Sequence, residues 1–141
     1  MRDDQDVSLT IYLIGGTAVD ESRLLDATAA AHAVVRVRVL DASLAPIDAL
    51  NGETDPRLEQ LVIVDMSLDD WEAIVTALQT KAYSGVRAVA VLVGEAEMWR
   101  LCDVWRLHVR GFQLRPIRAD QVVLLASHLR LAWPRQRMRI L

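Results

Sequence analysis

A chain of 141 residues that is 52% hydrophobic and 25% charged can bury one core, which excludes a disordered tail, and is too short for two comfortable domains. Its single cysteine, Cys102, excludes an internal disulfide and a cysteine-rich zinc site. The longest apolar run, Ala88–Val93, is far too short to cross a bilayer, and MRDDQDVS lacks the basic start and apolar stretch of a signal peptide; a cytoplasmic protein with no membrane partner is expected.

The formal charge of −3 is unevenly divided. Met1 to Val86 hold 15 acidic and 6 basic residues, a balance of −9, whereas Arg87 to Leu141 hold 4 acidic and 10 basic, a balance of +6. Such a division steers partners, or pairs one half with the other across a fold. Four arginines (Arg130, Arg135, Arg137 and Arg139) crowd the ending RLAWPRQRMRIL. The organisation expected is an acidic tail over 1–7, one domain over 8–132 and a basic tail over 133–141. The tail by itself does not call for a nucleic-acid partner.

Leu9–Ile14 is the first apolar run of strand length, and it stops at Gly15-Gly16 before a helical pattern over Asp20–Ala31. The two glycines have three readings: a phosphate cradle, a tight turn, or the place where a reactive pair has been lost. In the second strand, Val34–Leu40, Val35, Val37 and Val39 alternate with Arg36 and Arg38, a charge pattern suited to a sheet edge. A weak helix near Ser43–Leu50 and the loop LNGETDPRLE come next. Leu61–Asp65 is nearly all apolar, as a central strand is. Ser67 stands as an N-cap, with Asp70 three residues on, before a helix over Leu68–Ala82 whose Trp71, Ile74, Val75 and Leu78 share a face. Val86–Val93 is the fourth strand. The helix expected over Glu95–Val109 turns Met98, Leu101, Cys102 and Trp105 to the core, making Cys102 a packed thiol and leaving Trp99 outside. Gly111–Leu114 is a short fifth strand, and Ala119–Leu131 a last helix with Val122, Leu125, Ala126 and Leu129 inward.

Alternating strands and helices give a parallel sheet covered on both faces. An edge strand second and a central strand third fit a single α/β domain, doubly wound in the order 2-1-3-4-5. Its crevice lies beyond the carboxyl ends of strands one, three and four, where Gly15-Gly16, Asp65 and Val93-Gly94 stand. IGGTAVD lacks both GxGxxG and the Walker A lysine, which argues against a nucleotide there. His32, His108 and His128 fall on different elements with no HxxxH or Cys-His spacing, so no metal site is expected from them.

LVIVDMSL, VAVLVGEAE and GFQLRPIRADQVVLLASHL resemble the third strand, the fourth strand and the last strand-helix unit of bacterial response-regulator receiver domains, over about residues 8–131. In that family an acidic pair after strand one helps to hold magnesium. An aspartate after strand three accepts phosphate, a Thr or Ser after strand four senses it, and a Lys before a Pro on strand five pairs with it. The resemblance makes Asp65 the phosphoacceptor equivalent and matches Pro116 to the proline. Gly15 and Gly16 replace the acidic pair, Val93 replaces the hydroxyl, Arg115 replaces the lysine, and Phe112 takes the place of the aromatic switch residue. On this reading the glycines mark a lost metal site, because magnesium wants hard oxygen ligands in near-octahedral geometry.

The function expected is therefore an atypical, pseudo-receiver regulatory module, not an enzyme, that signals by protein–protein contact without phosphorylation and without a cofactor. Asp65 is expected to pair with Arg115. The alternatives are a working phosphoacceptor on Asp65 and a regulatory binder of a small ligand in the glycine-lined crevice. The resemblance implies a partner, or a second copy of the chain, on the face of helix four, strand five and helix five. Trp99, Arg106, Val123, Leu124 and Leu131 are the expected contacts, since an aromatic anchor among arginines and apolar residues is the composition of an interface.

Overall fold

The computed structural model describes residues 9–31, 35–40, 50, 59–80 and 87–131. The expected tails, His32, the loop LNGETDPRLE except its ends Leu50 and Glu59, and all of the weak helix near Ser43–Leu50 except Leu50 lie outside them. Five strands, β1 (Leu9–Ile14), β2 (Val35–Leu40), β3 (Glu59–Asp65), β4 (Arg87–Val93) and β5 (Gly111–Leu114), form one all-parallel sheet in the order β2-β1-β3-β4-β5. This is the doubly wound order expected. The helices are α1 (Ala18–Thr28), α2 (Trp71–Thr80), α3 (Leu101–Arg106) and α4 (Ala119–His128), with 3₁₀ turns at Ala29–Ala31 and Glu95–Arg100.

The strand pleat sorts the core into two layers. Leu9, Ile11 and Leu13 of β1 face one layer with Leu24 of α1 and Val122, Leu125 and Ala126 of α4. Tyr12 and Ile14 face the other, with Trp71, Ile74, Val75 and Leu78 of α2 and Val104 of α3. Every residue of β1 is buried, whereas β2, paired only with β1, is half open along its length. Arg36 and Arg38 therefore sit on an edge strand, where charge discourages pairing with another sheet.

Helix α1 starts two residues before the expected Asp20, because Thr17 caps it: Thr17 Oγ1 accepts from the Asp20 amide at 3.1 Å, and Asp20 Oδ2 accepts from the Thr17 amide at 2.8 Å. This is a reciprocal capping box. Helix α2 starts at Trp71, not Leu68, and Ser67 is not its cap. Residues 66–70 make turns after β3, the Ser67 amide donates to Asp65 Oδ1 at 2.9 Å, and the Ile74 amide bonds the Asp70 carbonyl as the first helical bond.

The region expected as one helix over Glu95–Val109 is the largest correction. Six residues of 3₁₀ turn precede α3, and a turn of only three residues shifts the phase of the helix behind it. Val104 is buried and Leu101 half-buried, while Met98 and Cys102 are exposed and Trp105 is 73% exposed. Trp105 is thus not core and Cys102 is not a packed thiol. Trp99 is outside as expected, at 78% exposure. Replacing buried Trp71 by Ala is predicted to cost about 3–5 kcal/mol. Trp105→Gln is predicted to stay within about 0.5 kcal/mol of the parent in urea unfolding.

Candidate functional site

The carboxyl ends of β1, β3 and β5 converge on one charged cluster. Asp65 is the last residue of β3 and 3% exposed. Arg115 follows β5, its backbone amide bonded to the Val93 carbonyl at 3.0 Å, and the Arg115–Pro116 peptide is cis. From there Arg115 Nη2 reaches Asp65 Oδ2 at 2.9 Å, forming the ion pair expected between them.

The guanidinium also grips a residue absent from the expected site. Arg115 Nε donates to both carboxylate oxygens of Asp20 at 3.1 Å, and Nη2 donates to Asp20 Oδ2 at 2.8 Å. Asp20 is 3% exposed and is also the residue that closes the capping box of α1. The spacing Thr17-x-x-Asp20 was the available signal, since that is the pattern of a helix N-terminus. Its carboxylate sits where a helix start stabilises negative charge.

Gly15 and Gly16 adopt φ of 83° and 84°, a left-handed conformation that side chains resist. A Cβ on Gly15 would lie 3.0 Å from Asp65 Cβ and 3.0 Å from a Leu68 methyl. The turn brings the Gly16 amide to Asp65 Oδ2 at 2.9 Å. Asp65 therefore accepts from Gly16, Ser67 and Arg115 together. The glycines make a tight turn, one that also supplies a donor to the carboxylate.

Val93 is buried in the α2–α3 layer, whereas Phe112 on β5 is partly exposed. Glu97 in the 3₁₀ turn accepts from the Gly94 amide at 2.9 Å and stands 3.9 Å from Arg115 Nη1. Burial alone would raise the pKa of Asp20, but hydrogen bonds from Arg115 and from Thr17 outweigh it and hold the carboxyl below its ordinary value. Hydrogen bonding to Asp20, opposed by burial and aided by Asp65, pushes the Arg115 guanidinium further up.

This donor set does not fit a magnesium ion. The strand-one position offers two glycines, and both remaining carboxylates are already spent on Arg115, which places a cation between them. Among the described residues no three His, Cys, Asp or Glu side chains gather into a metal-binding group. The cluster is suited to holding three strand ends together, not to gathering ligands around an ion.

No family profile and no curated protein matches the sequence. Solved structures do. The bacteriophytochrome response regulator RtBRR is similar over 94% of this chain and 84% of its own, with a TM-score of 0.69 and 18% identity. The receiver domain of the TMAO respiratory system response regulator TorR is similar over 85% of this chain and 94% of its own, with a TM-score of 0.66 and 16% identity. Full-length FixJ from B. japonicum is similar at a TM-score of 0.63 and 19% identity, over 86% of this chain and 57% of its own. Among the described residues no helix is long and apolar enough to cross a membrane.

The direction of the Asp20 shift gives a pH dependence with a definite sign. A carboxyl depressed on folding adds stability that is fully present above its unfolded value of 3.8 and is lost as pH falls through the lower folded value. Asp20→Asn is predicted to cost about 2–3 kcal/mol at neutral pH, less than a fully enclosed pair because Arg115 keeps 24% of its side chain exposed. Denaturant unfolding as a function of pH checks this, the two curves converging once the parent is acidified below the Asp20 titration.

Proposed function

Taking the receiver-domain fold as the premise, we propose that this chain is a regulatory module that signals by protein contact, without phosphorylation of Asp65. One observation carries the reading: Arg115 binds Asp20 and Asp65 simultaneously. A phosphoryl group on Asp65 would have to displace the guanidinium from its present carboxylate partners, with Gly15-Gly16 offering no carboxylate at the end of β1 for a metal ion. Loss of charge stabilisation during transfer is costly, because positioning and electrostatics are nearly all of phosphoryl-transfer catalysis. The expected result is no mass gain when the chain is incubated with acetyl phosphate and magnesium and weighed intact under conditions that preserve acyl phosphates. A stoichiometric gain that disappears in Asp65→Asn would establish the phosphoacceptor reading instead.

The contact face of this reading is the outer side of α3, β5 and α4, with a second copy of the chain as the partner. Val123 and Leu124 of α4 are exposed, Trp99 is exposed on the 3₁₀ turn that precedes α3, and Arg106 reaches outward while pairing with Asp103 at 3.3 Å. Trp105 and Phe112 add exposed aromatic surface, and with Leu124 they border an apolar cavity of about 440 Å³. Leu131 does not belong to this face. It is 9% exposed and packs into the α1–α4 core layer, because the chain turns back at the end of α4. Large aromatic residues clustered on one exposed face are the usual anchors of an interface. The double change Trp99→Glu with Leu124→Glu is predicted to leave the far-UV spectrum unchanged and to abolish association in sedimentation. A parent chain that sediments as a monomer throughout the micromolar range would remove the second copy as partner.

A further inference from the structure

The amino end of the sheet, opposite Asp65 and Arg115, holds a second concentration of charge. The ladder between β4 and β5 begins only at Ala90 opposite Gly111, so β4 starts before β5 does and Arg87–Val89 border a notch. The ends of α3 and α4, which cover opposite faces of the sheet, close around it. The resulting cavity of about 600 Å³ carries Arg87, His108, Arg110, His128 and Arg130 on its wall and, among the described residues, no carboxylate. We propose that this notch is a binding site for a small phosphate-bearing anion of nucleotide size, independent of the reading of the Asp65 cluster.

Three observations support the assignment. The first is the charge itself. Arg110 and Arg130 are exposed and have no side-chain partner among the described residues, and Arg87 is buried with its Nε held by Gln60 Oε1 at 2.8 Å. Guanidinium groups present the planar fork that matches phosphate oxygens. The second is size, since the cavity lies within the range of small-molecule sites and Ala88 and Leu129 give it a partly apolar wall.

The third is the backbone. Both helices end in the same motif. At the end of α3 the His108 amide bonds the Trp105 carbonyl and the Val109 amide bonds the Val104 carbonyl; at the end of α4 the Arg130 amide bonds Ser127 and the Leu131 amide bonds Ala126. These are paired Schellman closures, whose left-handed residue is usually glycine. Here His108 and Arg130 occupy it, at φ of 62° and 61°. Attraction of cations to a helix carboxyl end accounts for basic residues nearby. It does not account for using them at the one position of each helix where a side chain is penalised. Both penalised side chains line the same cavity, and strain retained in this way concentrates at functional sites.

The test is titration calorimetry of the full chain with pyrophosphate and with ADP at constant ionic strength, supported by amide shifts. Saturable one-site binding is expected, with shifts at His108, Arg110 and Arg130. Arg110→Ala with Arg130→Gly should weaken it at least about tenfold, the scale of a lost hydrogen bond to a charged group. Arg130→Gly alone should lower affinity without lowering the melting temperature, because glycine accepts the left-handed conformation freely; a purely structural Arg130 would leave affinity unmoved. The proposal is overturned if neither anion saturates at millimolar concentration, if the variants bind as the parent does, or if a single-stranded oligonucleotide binds there far more tightly than ADP.

Discussion

Arg115 grips Asp20 and Asp65 at once, and the arrangement of the carboxyl end of the sheet follows from that contact. Two buried carboxylates side by side repel. A planar guanidinium between them offsets that repulsion and fixes three elements in place: the start of α1, the end of β3 and the end of β5. Gly15-Gly16 completes the frame. Its left-handed turn lowers a backbone amide onto Asp65 where any side chain would collide. A cluster bonded in this way rigidifies its surroundings, because the oxygens of both carboxylates already have their donors.

Much of the fold was legible because its signals are local and redundant. The largely apolar β1 and β3, the arginine-striped edge strand and the alternation with helices each pointed to one sheet order. The pair of Asp65 with Arg115 was legible as well, through the resemblance. Asp20 was not, since nothing local distinguishes a helix-capping carboxylate from one that also meets an arginine 95 residues away. The inward side of α3 was misplaced for a different reason. Periodicity assumes 3.6 residues per turn, and the 3₁₀ segment before α3 breaks that count, which sent Cys102 and Trp105 to the wrong side. Leu131 was misplaced because the last helix ends at His128 and reverses direction, so a residue read as the continuation of a helical face became part of the core.

The molecule thus has chemically distinct surfaces at separate places. The carboxyl end of the sheet is closed by internal pairing of opposite charges, and the amino end gathers positive charge without carboxylates among the described residues of its wall. Between them, on the flank of α3, β5 and α4, aromatic and aliphatic side chains stay exposed. The split between an acidic first half and a basic second half of the chain has a partial explanation here. Arg115 from the second half meets Asp20 and Asp65 from the first, while Arg110 and Arg130 do not cross over to a carboxylate among the described residues.

The separation in sequence of the paired groups has a kinetic consequence. Arg115 lies 50 residues from Asp65 and 95 from Asp20. Contacts of such span close large loops, whose entropy must be offset by other contacts before these bonds contribute. As side-chain contacts at the strand ends they close only on strands already in place, so a late position in folding is the expectation. Interactions absent from the transition state govern how slowly a protein comes apart and have little influence on how fast it assembles. The guanidinium acts as a latch on the finished domain, and in a denaturant chevron its removal would steepen nothing on the folding arm and raise the unfolding arm.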